Sequence, residues 1–560
     1  MDVVIREGGH VFLPLIGQLA TLGRSRCPYQ PDPTPRIGSH AIGGLSAGKR
    51  NSYNGALCRR KARSSATTGE GWMRWVVFLA LGAMLAGSAS AAAATQCDRL
   101  LARLADQVAD AACAESTDLT TNNPATTPAN NSLPGLPPFA FTPQTDRAVI
   151  SPTAHTPITK TLSGIQIDGR IAEDPTGEAR ILFRLPNQWN GKLVVAGASG
   201  TRSEFNGDFA WSDYVLQQGY AYVSQNKGIL NFYLTTAADP LGCRLNPSST
   251  TFVHFYDNDP GQPFTRWTEF MNEAARIGKN AVAGYYGRYP RRTYAVGTSN
   301  GGYQVRRALE TAPELYDGGI DWEGTYVDAV APNILSALPP AILNYPDYAA
   351  SGFASSSTAA KNLLVTGYPP DLVSGTSSLW GLYWAQFWEV TLCQWQKRLD
   401  PSYDTYGSGT GTYSYVDRLS ASDVGADVAA IATTGNIGKP LITVAGTMDA
   451  LLPINLHARA YARAVTAALS EQSDEGDHDR HRRPAYRLYE VQNGNHIEAY
   501  KDIFPQLELI QPHAQHAFDL LTEAVERGSA LPPDQCIPRG GSITASPPQP
   551  GHCAGLFVGP

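Results

Sequence analysis

The chain of 560 residues has no excess of positive charge: 44 Lys and Arg stand against 50 Asp and Glu, a formal net charge of −6. It therefore offers no bulk basic field, and nucleic acid and anionic membrane surfaces are excluded as expected partners. Long apolar runs are also scarce. The main one, Val76–Leu85, is shorter than the roughly 20 residues a spanning helix needs, and no later segment qualifies. The eight cysteines never fall in a C-x-x-C spacing, so neither a zinc ribbon nor a thioredoxin-like redox pair is expected. What is present, 42% hydrophobic and 9% aromatic residues with 17% charged, excludes a disordered or collagen-like chain and leaves a globular one with a large core.

Met73-Arg74-Trp75 opens the apolar run, which closes on small residues with Ala89-Ser90-Ala91 as an A-x-A cleavage site. Arg59, Arg60, Lys61 and Arg63 lie upstream, completing the pattern of a secretory signal over residues 73–91. The expectation is a secreted or periplasmic protein with no membrane association after cleavage. Residues 1–72 show no periodic pattern and are read as a disordered, non-native extension, with Met73 as the start. Setting aside Cys27 and Cys58 leaves six cysteines, an even number that points to disulfides in an exported chain.

Residues 92–160 read as a helix followed by a linker. Leu100, Leu101, Leu104, Val108 and Ala111 recur at helical steps without Gly or Pro, predicting one amphipathic helix over Gln96–Ala114. On such a helix Cys97 and Cys113 would stand about 24 Å apart, whereas a disulfide spans roughly 4.4–6.8 Å, so they are not expected to pair. A Thr/Asn/Pro-rich linker covers about Ser116 to Gln144.

From residue 161 to 332 extended segments take over. The first two alternate like a half-exposed antiparallel pair, and Lys192–Ala196 is continuously apolar, like a strand buried on both faces. Strand and helix then alternate: Ala221–Ser224, Thr265–Tyr286, Thr293–Val296, Gly302–Ala312, and a strand expected at Val327–Ala331. Residues 429–530 resume with strands at Leu441–Ala445 and Tyr486–Val491 and a closing helix at Pro512–Val525, before a tail at 531–560. Residues 333–428 break the rhythm with Trp380, Tyr383, Trp384, Phe387, Trp388 and Trp395 and read as an inserted lid. The expected fold class is α/β, a mostly parallel central sheet flanked by helices on both faces.

Gly297-Thr298-Ser299-Asn300-Gly301 matches G-x-S-x-G, the sharp strand-to-helix turn that exposes a nucleophilic serine. A second match, Gly44–Gly48, has no strand before it and lies upstream of the signal. A serine hydroxyl needs a histidine to take its proton and a carboxylate to orient that histidine. Asp449, just past the strand Leu441–Ala445, and His496, in the loop after Tyr486–Val491, supply both in the chain order Ser, Asp, His of the α/β-hydrolase fold. For Asp449 the alternative is a helix N-cap. His513 and His516, on one helix, and His478 and His481, in a charged run, are less well placed. Oxyanion donors are expected from the backbone of Asn300 and from Ala198 or Ser199, in the small-residue loop after Lys192–Ala196. Trp384 and Trp388 are candidate substrate contacts, the alternative being that they form the lid's own core. No metal or cofactor is expected.

Leu185-Pro186 with Trp189-Asn190-Gly191-Lys192-Leu193, Gly219-Tyr220-Ala221, Tyr285-Tyr286-Gly287, the elbow from Arg292 to Gly302, and Pro313–Gly318 together resemble the tannase and feruloyl esterase family. The resemblance runs from about Gly164 to Tyr500, apart from the lid. It implies a secreted serine esterase acting on hydroxyaromatic esters through an acyl-enzyme. In that family a cysteine precedes the catalytic serine and another follows the catalytic histidine; here those places hold Thr298 and Ile497, which marks a divergent relative. The family's lid calcium site has no acidic-rich loop to match it, Asp257-Asn258-Asp259 being the nearest candidate. Other readings of the same chain are hydrolysis of hydroxyalkanoate oligomers, an acyltransferase, or a binding protein on a retired hydrolase fold.

Overall fold

The computed structural model describes residues 94–126, 157–200, 204–205, 209–229, 232–233, 241–244, 252–253, 264–403, 412–474 and 484–559. The signal segment, the G-x-S-x-G match at Gly44–Gly48, Asp257–Asp259, His478 and His481 lie outside them.

Ten strands form one sheet: β1 (Val108–Ser116), β2 (Gly164–Ile171), β3 (Arg180–Pro186), β4 (Lys192–Ala196), β5 (Ala221–Gln225), β6 (Arg292–Thr298), β7 (Gly318–Trp322), β8 (Leu441–Gly446), β9 (Tyr486–Val491) and β10 (Gln535–Ile537). Their spatial order is β1-β2-β3-β5-β4-β6-β7-β8-β9-β10. The pairs β1/β2, β2/β3 and β3/β5 are antiparallel. From β5 onward every pair is parallel. Parallel neighbours require crossovers, and the helices supply them.

The helices that follow in the argument are α1 (Gln96–Leu104), α2 (Phe209–Gln217), α3 (Thr265–Tyr286), α4 (Asn300–Thr311), α5 (Ile334–Ala350), α6 (Thr358–Val365), α7 (Leu379–Tyr383), α8 (Glu389–Leu399), α9 (Tyr415–Ala421), α10 (Val424–Ala430), α11 (Ala458–Asp474) and α12 (Gln511–Arg527). The apolar strands bury both faces because successive side chains point to opposite sides. Leu193, Val195 and Ala295 pack with Ala274 and Ile277 of α3 and Val305 of α4. Val194, Val296 and Ile442 pack on the other side with Trp211 and Val215 of α2 and Phe518 of α12. This layered sheet, with its strand–turn–helix at Ser299, is the α/β-hydrolase fold. Helices α5 to α10 intervene between β7 and β8 and share a further apolar cluster that includes Trp380, Trp388 and Trp395.

Three expectations fail. The first two strands, β2 and β3, are an antiparallel pair but are not half-exposed, both being buried along nearly their whole length. The helix predicted over Gln96–Ala114 ends at Leu104, and after a turn the chain runs as β1, with Val108 opposite Ile171 and Cys113 opposite Ile167. Local propensity favoured a continuing helix, but the open edge of β2 offers backbone partners, and that pairing prevails over the two apolar steps, Val108 and Ala111, that lie beyond Leu104. The reversal brings Cys97 and Cys113 to a Cα separation of 5.6 Å, and they are disulfide-bonded, contrary to expectation. Cys243–Cys393 and Cys536–Cys553 are the other disulfides among the described residues.

The strand expected at Val327–Ala331 is absent, and its place between β6 and β8 is taken by Gly318–Trp322. Two glycines hid this strand, since glycine is a poor strand former. Gly319 is needed because a Cβ there would stand 2.8 Å from Val305 Cγ1 and 2.9 Å from Leu309 Cδ1, both on α4. Among the described residues no helix is long and apolar enough to cross a membrane.

Candidate active site

Ser299 follows β6 directly and precedes α4, with φ 58° and ψ −120°. The left-handed region costs a non-glycine residue about 1–3 kcal/mol, so neighbours must impose it. Ser299 N–H donates to Trp322 O at 2.9 Å, and Tyr303 N–H donates to Ser299 O at 3.0 Å. Gly297 permits the tight return: a Cβ there would lie 2.3 Å from Gly301 O.

The loop after β4 runs beside this turn. Ala198 N–H donates to Gln304 Oε1 at 2.7 Å, and Gln304 Nε2 in turn donates to Trp267 O at 2.8 Å. The Ala198 amide is therefore engaged by a buried side chain. Ser199 Oγ donates to Thr298 O at 3.0 Å, and buried Lys227 Nζ reaches Ser199 O and, at 2.7 Å, Gly200 O. Carbonyls of the loop are thus tied back against β5's end. Asn300 is buried as the first residue of α4.

Asp449 lies three residues beyond β8 and His496 five beyond β9, at the carboxyl ends of adjacent parallel strands. His496 Nδ1 stands 2.8 Å from Asp449 Oδ2. Asp449 Oδ1 accepts the N–H groups of Leu451 and Leu452, both at 2.7 Å, so turn-capping and the histidine contact occupy different oxygens of one carboxylate. Met448 N–H to Gly494 O at 2.7 Å and Asn493 N–H to Thr447 Oγ1 at 2.9 Å clamp the two loops together.

A further acid, not anticipated from the sequence, shares this pocket. Glu323 follows β7 with φ 54°, and its Oε2 lies 3.5 Å from His496 Nδ1. Its other oxygen, Oε1, accepts Gly446 N–H at 2.9 Å. Donor atoms of Glu323, Asp449 and His496 all fall within 4.8 Å of one another. The signal that would have found it is positional: once β7 is placed at Gly318–Trp322, residue 323 sits at the same sheet edge as Ser299 and Asp449.

These contacts set the protonation chemistry. Burial opposes the charge on His496, but the charge and hydrogen bond of Asp449, then the charge of Glu323, outweigh it and hold the imidazole above its ordinary value. Burial first, then the negative charge of Asp449, pushes the Glu323 carboxyl above the usual carboxylate range. His457, whose Nδ1 accepts Tyr326 N–H at 3.0 Å, is pushed down to about 3, chiefly by burial, and stays neutral. Burial likewise lowers His513 on α12 to about 4.

The segment between β7 and β8 reaches the same loops. Trp388 is fully buried, and its Nε1–H donates to the backbone of Ala450, next to Asp449, at 2.8 Å. Tyr383 OH donates to Asn495 Oδ1 at 2.9 Å, and Tyr500 OH to Gln386 Oε1 at 3.1 Å. Trp384 is half-buried and stacks on Tyr345 with centroids 5.2 Å apart. Residues Trp384–Trp388 form a π-helical turn, a local widening found often at functional sites. At the two places where the resembled family carries cysteines, Thr298 O accepts the Ser199 hydroxyl and Ile497 packs against the apolar cluster of α5–α10.

A family model described as 3HB-oligomer hydrolase matches residues 399–551, which include Asp449 and His496. The D-(-)-3-hydroxybutyrate oligomer hydrolase of Burkholderia ambifaria is 33% identical over 132 residues, 22% of this chain and 17% of that protein. The matched stretch thus spans about one sixth of that relative's length. Among solved structures, feruloyl esterase B from Aspergillus oryzae is similar at a TM-score of 0.43 and 15% identity, over 76% of this chain and 88% of that one. Tannin acyl hydrolase from Aspergillus niger is similar at 0.40 and 13%, over 78% and 88%.

Proposed function

We propose that this chain is an exported serine esterase that hydrolyses carboxylic esters through an acyl-enzyme on Ser299. The observation on which this rests most is the coincidence, at the carboxyl edge of one sheet, of a strained serine elbow with a histidine whose Nδ1 is held 2.8 Å from a carboxylate. In this reading His496 Nε2 takes the hydroxyl proton as Oγ bonds to the ester carbon, and it then gives that proton to the departing alcohol. Water repeats the sequence on the acyl-enzyme. Asp449 holds the imidazole in the tautomer that leaves Nε2 free to accept. The backbone N–H groups of Asn300 and of Ala198 or Ser199 stabilise the oxyanion, the Ala198 amide meeting Gln304 Oε1 in this structure. Trp384 faces the acyl or alcohol group, while Trp388 supports the Asp449 loop from within. The A-x-A pattern and the three disulfides support export.

For the substrate, the match over residues 399–551 favours oligomers of a 3-hydroxyalkanoate. The second reading, hydroxyaromatic esters, is favoured by the motifs around the oxyanion strand and elbow. Incubating the purified full chain with a 3-hydroxybutyrate trimer and, separately, with methyl ferulate, each beside Ser299→Ala, separates them. Release of monomer from the trimer by the wild-type chain alone is expected. Release of ferulate alone would favour the second reading, and turnover of neither would contradict the first choice and leave the second unsupported.

A further inference from the structure

We propose that Glu323 is a second carboxylate partner of His496, a positioning residue that shares the Nδ1 side of the imidazole with Asp449. This inference rests on the esterase reading, which gives the histidine its proton-carrying role.

The geometry is specific. Glu323 N–H donates to Val444 O at 2.9 Å and Gly446 N–H donates to Glu323 Oε1 at 2.9 Å, so both the backbone and one carboxylate oxygen are fixed to the end of β8. The remaining oxygen, Oε2, is buried, has no hydrogen-bond partner among the described residues, and points to His496 Nδ1 at 3.5 Å. Glu323 makes no ion pair with Lys or Arg among the described residues. A left-handed φ, a buried oxygen without a partner and a like charge on Asp449 all disfavour this placement in the resting state. A glutamine would keep the Gly446 contact without the charge. What the acid adds appears only when His496 is protonated.

That moment is the attack step. The Ser299 O–H bond breaks, its proton goes to His496 Nε2, and the positive charge spreads over a ring whose Nδ1–H faces two carboxylates. Asp449 accepts the hydrogen bond, and Glu323 adds negative charge from the adjoining side whenever it is ionised. The other groups around the trio add no competing cation at close range. Glu498 uses Oε1 to accept the N–H groups of Ile510 and Gln511, and burial pushes it up to about 7. Tyr383 gives its hydroxyl to Asn495. His457 stays neutral, and the Arg306 guanidinium is paired with Asp321. Because the two acids face one nitrogen, Glu323 can also orient His496 when Asp449 cannot. Loss of the Asp449 charge then leaves a weaker, pH-dependent triad instead of none.

The test uses the full chain and its Glu323→Gln, Glu323→Asp, Asp449→Asn and Asp449→Asn/Glu323→Gln variants, with Ser299→Ala as control. Two rates are followed against pH: hydrolysis of p-nitrophenyl butyrate and covalent labelling of Ser299 by a fluorophosphonate. In Glu323→Gln the pH at which the rate rises should fall by about one unit, because a nearby anion that favoured imidazolium is gone. Glu323→Asp should keep most of that shift from occurring. Asp449→Asn should retain a residual rate that climbs at alkaline pH as Glu323 ionises, at least about ten-fold above the double variant. An unshifted profile in Glu323→Gln, or a double variant as fast as Asp449→Asn, would overturn the proposal. Should Glu323→Gln fail to fold, the profile of Asp449→Asn decides alone, a pH-independent residue of activity being the contrary result. NMR titration of the His496 ring reads the same coupling without turnover, so it separates this claim from the esterase reading, which fails instead if Ser299→Ala is labelled or hydrolyses like wild type.

Discussion

At the scale of single residues, the proposed chemistry depends on how three side chains divide one proton. Ser299→Ala removes the proposed nucleophile from a half-buried turn and leaves little cavity, so hydrolysis should fall by about 10⁶-fold while stability changes by only about 0.5 kcal/mol; initial rates and a urea midpoint check both. Anions on the Nδ1 side favour the protonated ring, and the base form must be neutral to act. The rate of the wild-type chain should therefore rise with pH through a midpoint above about 6.5, the ordinary value for histidine, and a midpoint at or below it would mean that neither acid is charged beside the ring. Ser299, Asp449 and His496 could be singled out as candidates in the sequence because each follows a strand and then a glycine-bearing turn. Glu323 was not, since the strand that positions it begins with Gly318 and Gly319 and lacks a hydrophobic run.

At the scale of elements, the elbow is braced from below by a polar network that replaces apolar packing. Arg306 of α4 pairs with Asp321 of β7 at 2.6 Å with both side chains fully buried, and Thr443 Oγ1 of β8 donates to the same carboxylate at 2.7 Å. Arg306→Met would leave Asp321 charged and buried without its partner, and should cost about 3–5 kcal/mol in chemical denaturation; a loss under 1 kcal/mol would show the pair to be dispensable. The amino-terminal elements teach why local pattern can mislead. Leu100 and Leu104 do form a buried helical stripe, but beyond Leu104 the sheet edge at β2 decides the conformation, and the alanines there fit either outcome. The Cys97–Cys113 bond then closes the turn between α1 and β1. Replacing both cysteines with alanine should lower stability by about 3 kcal/mol on the loop-entropy argument, read as a lowered urea midpoint, and an unchanged midpoint would assign the turn's order to β pairing alone.

For the whole molecule, sheet and helical insertion are fastened at the loops that carry Asp449 and His496, through Trp388 to Ala450 and Tyr383 to Asn495. The alternation of strands and helices made the parallel sheet readable from the sequence, because doubly buried strands are continuous apolar runs, whereas the contacts between insertion and loops depend on side chains distant in sequence. The account stands on Ser299 being a nucleophile activated by His496 and Asp449, and the most direct measurement is mass mapping of the chain after brief exposure to a fluorophosphonate. It predicts one adduct, on Ser299, formed in the native chain and abolished in Ser299→Ala and in the heat-unfolded chain. No adduct on the native chain, or an adduct on another residue with Ser299 unmodified, would contradict it.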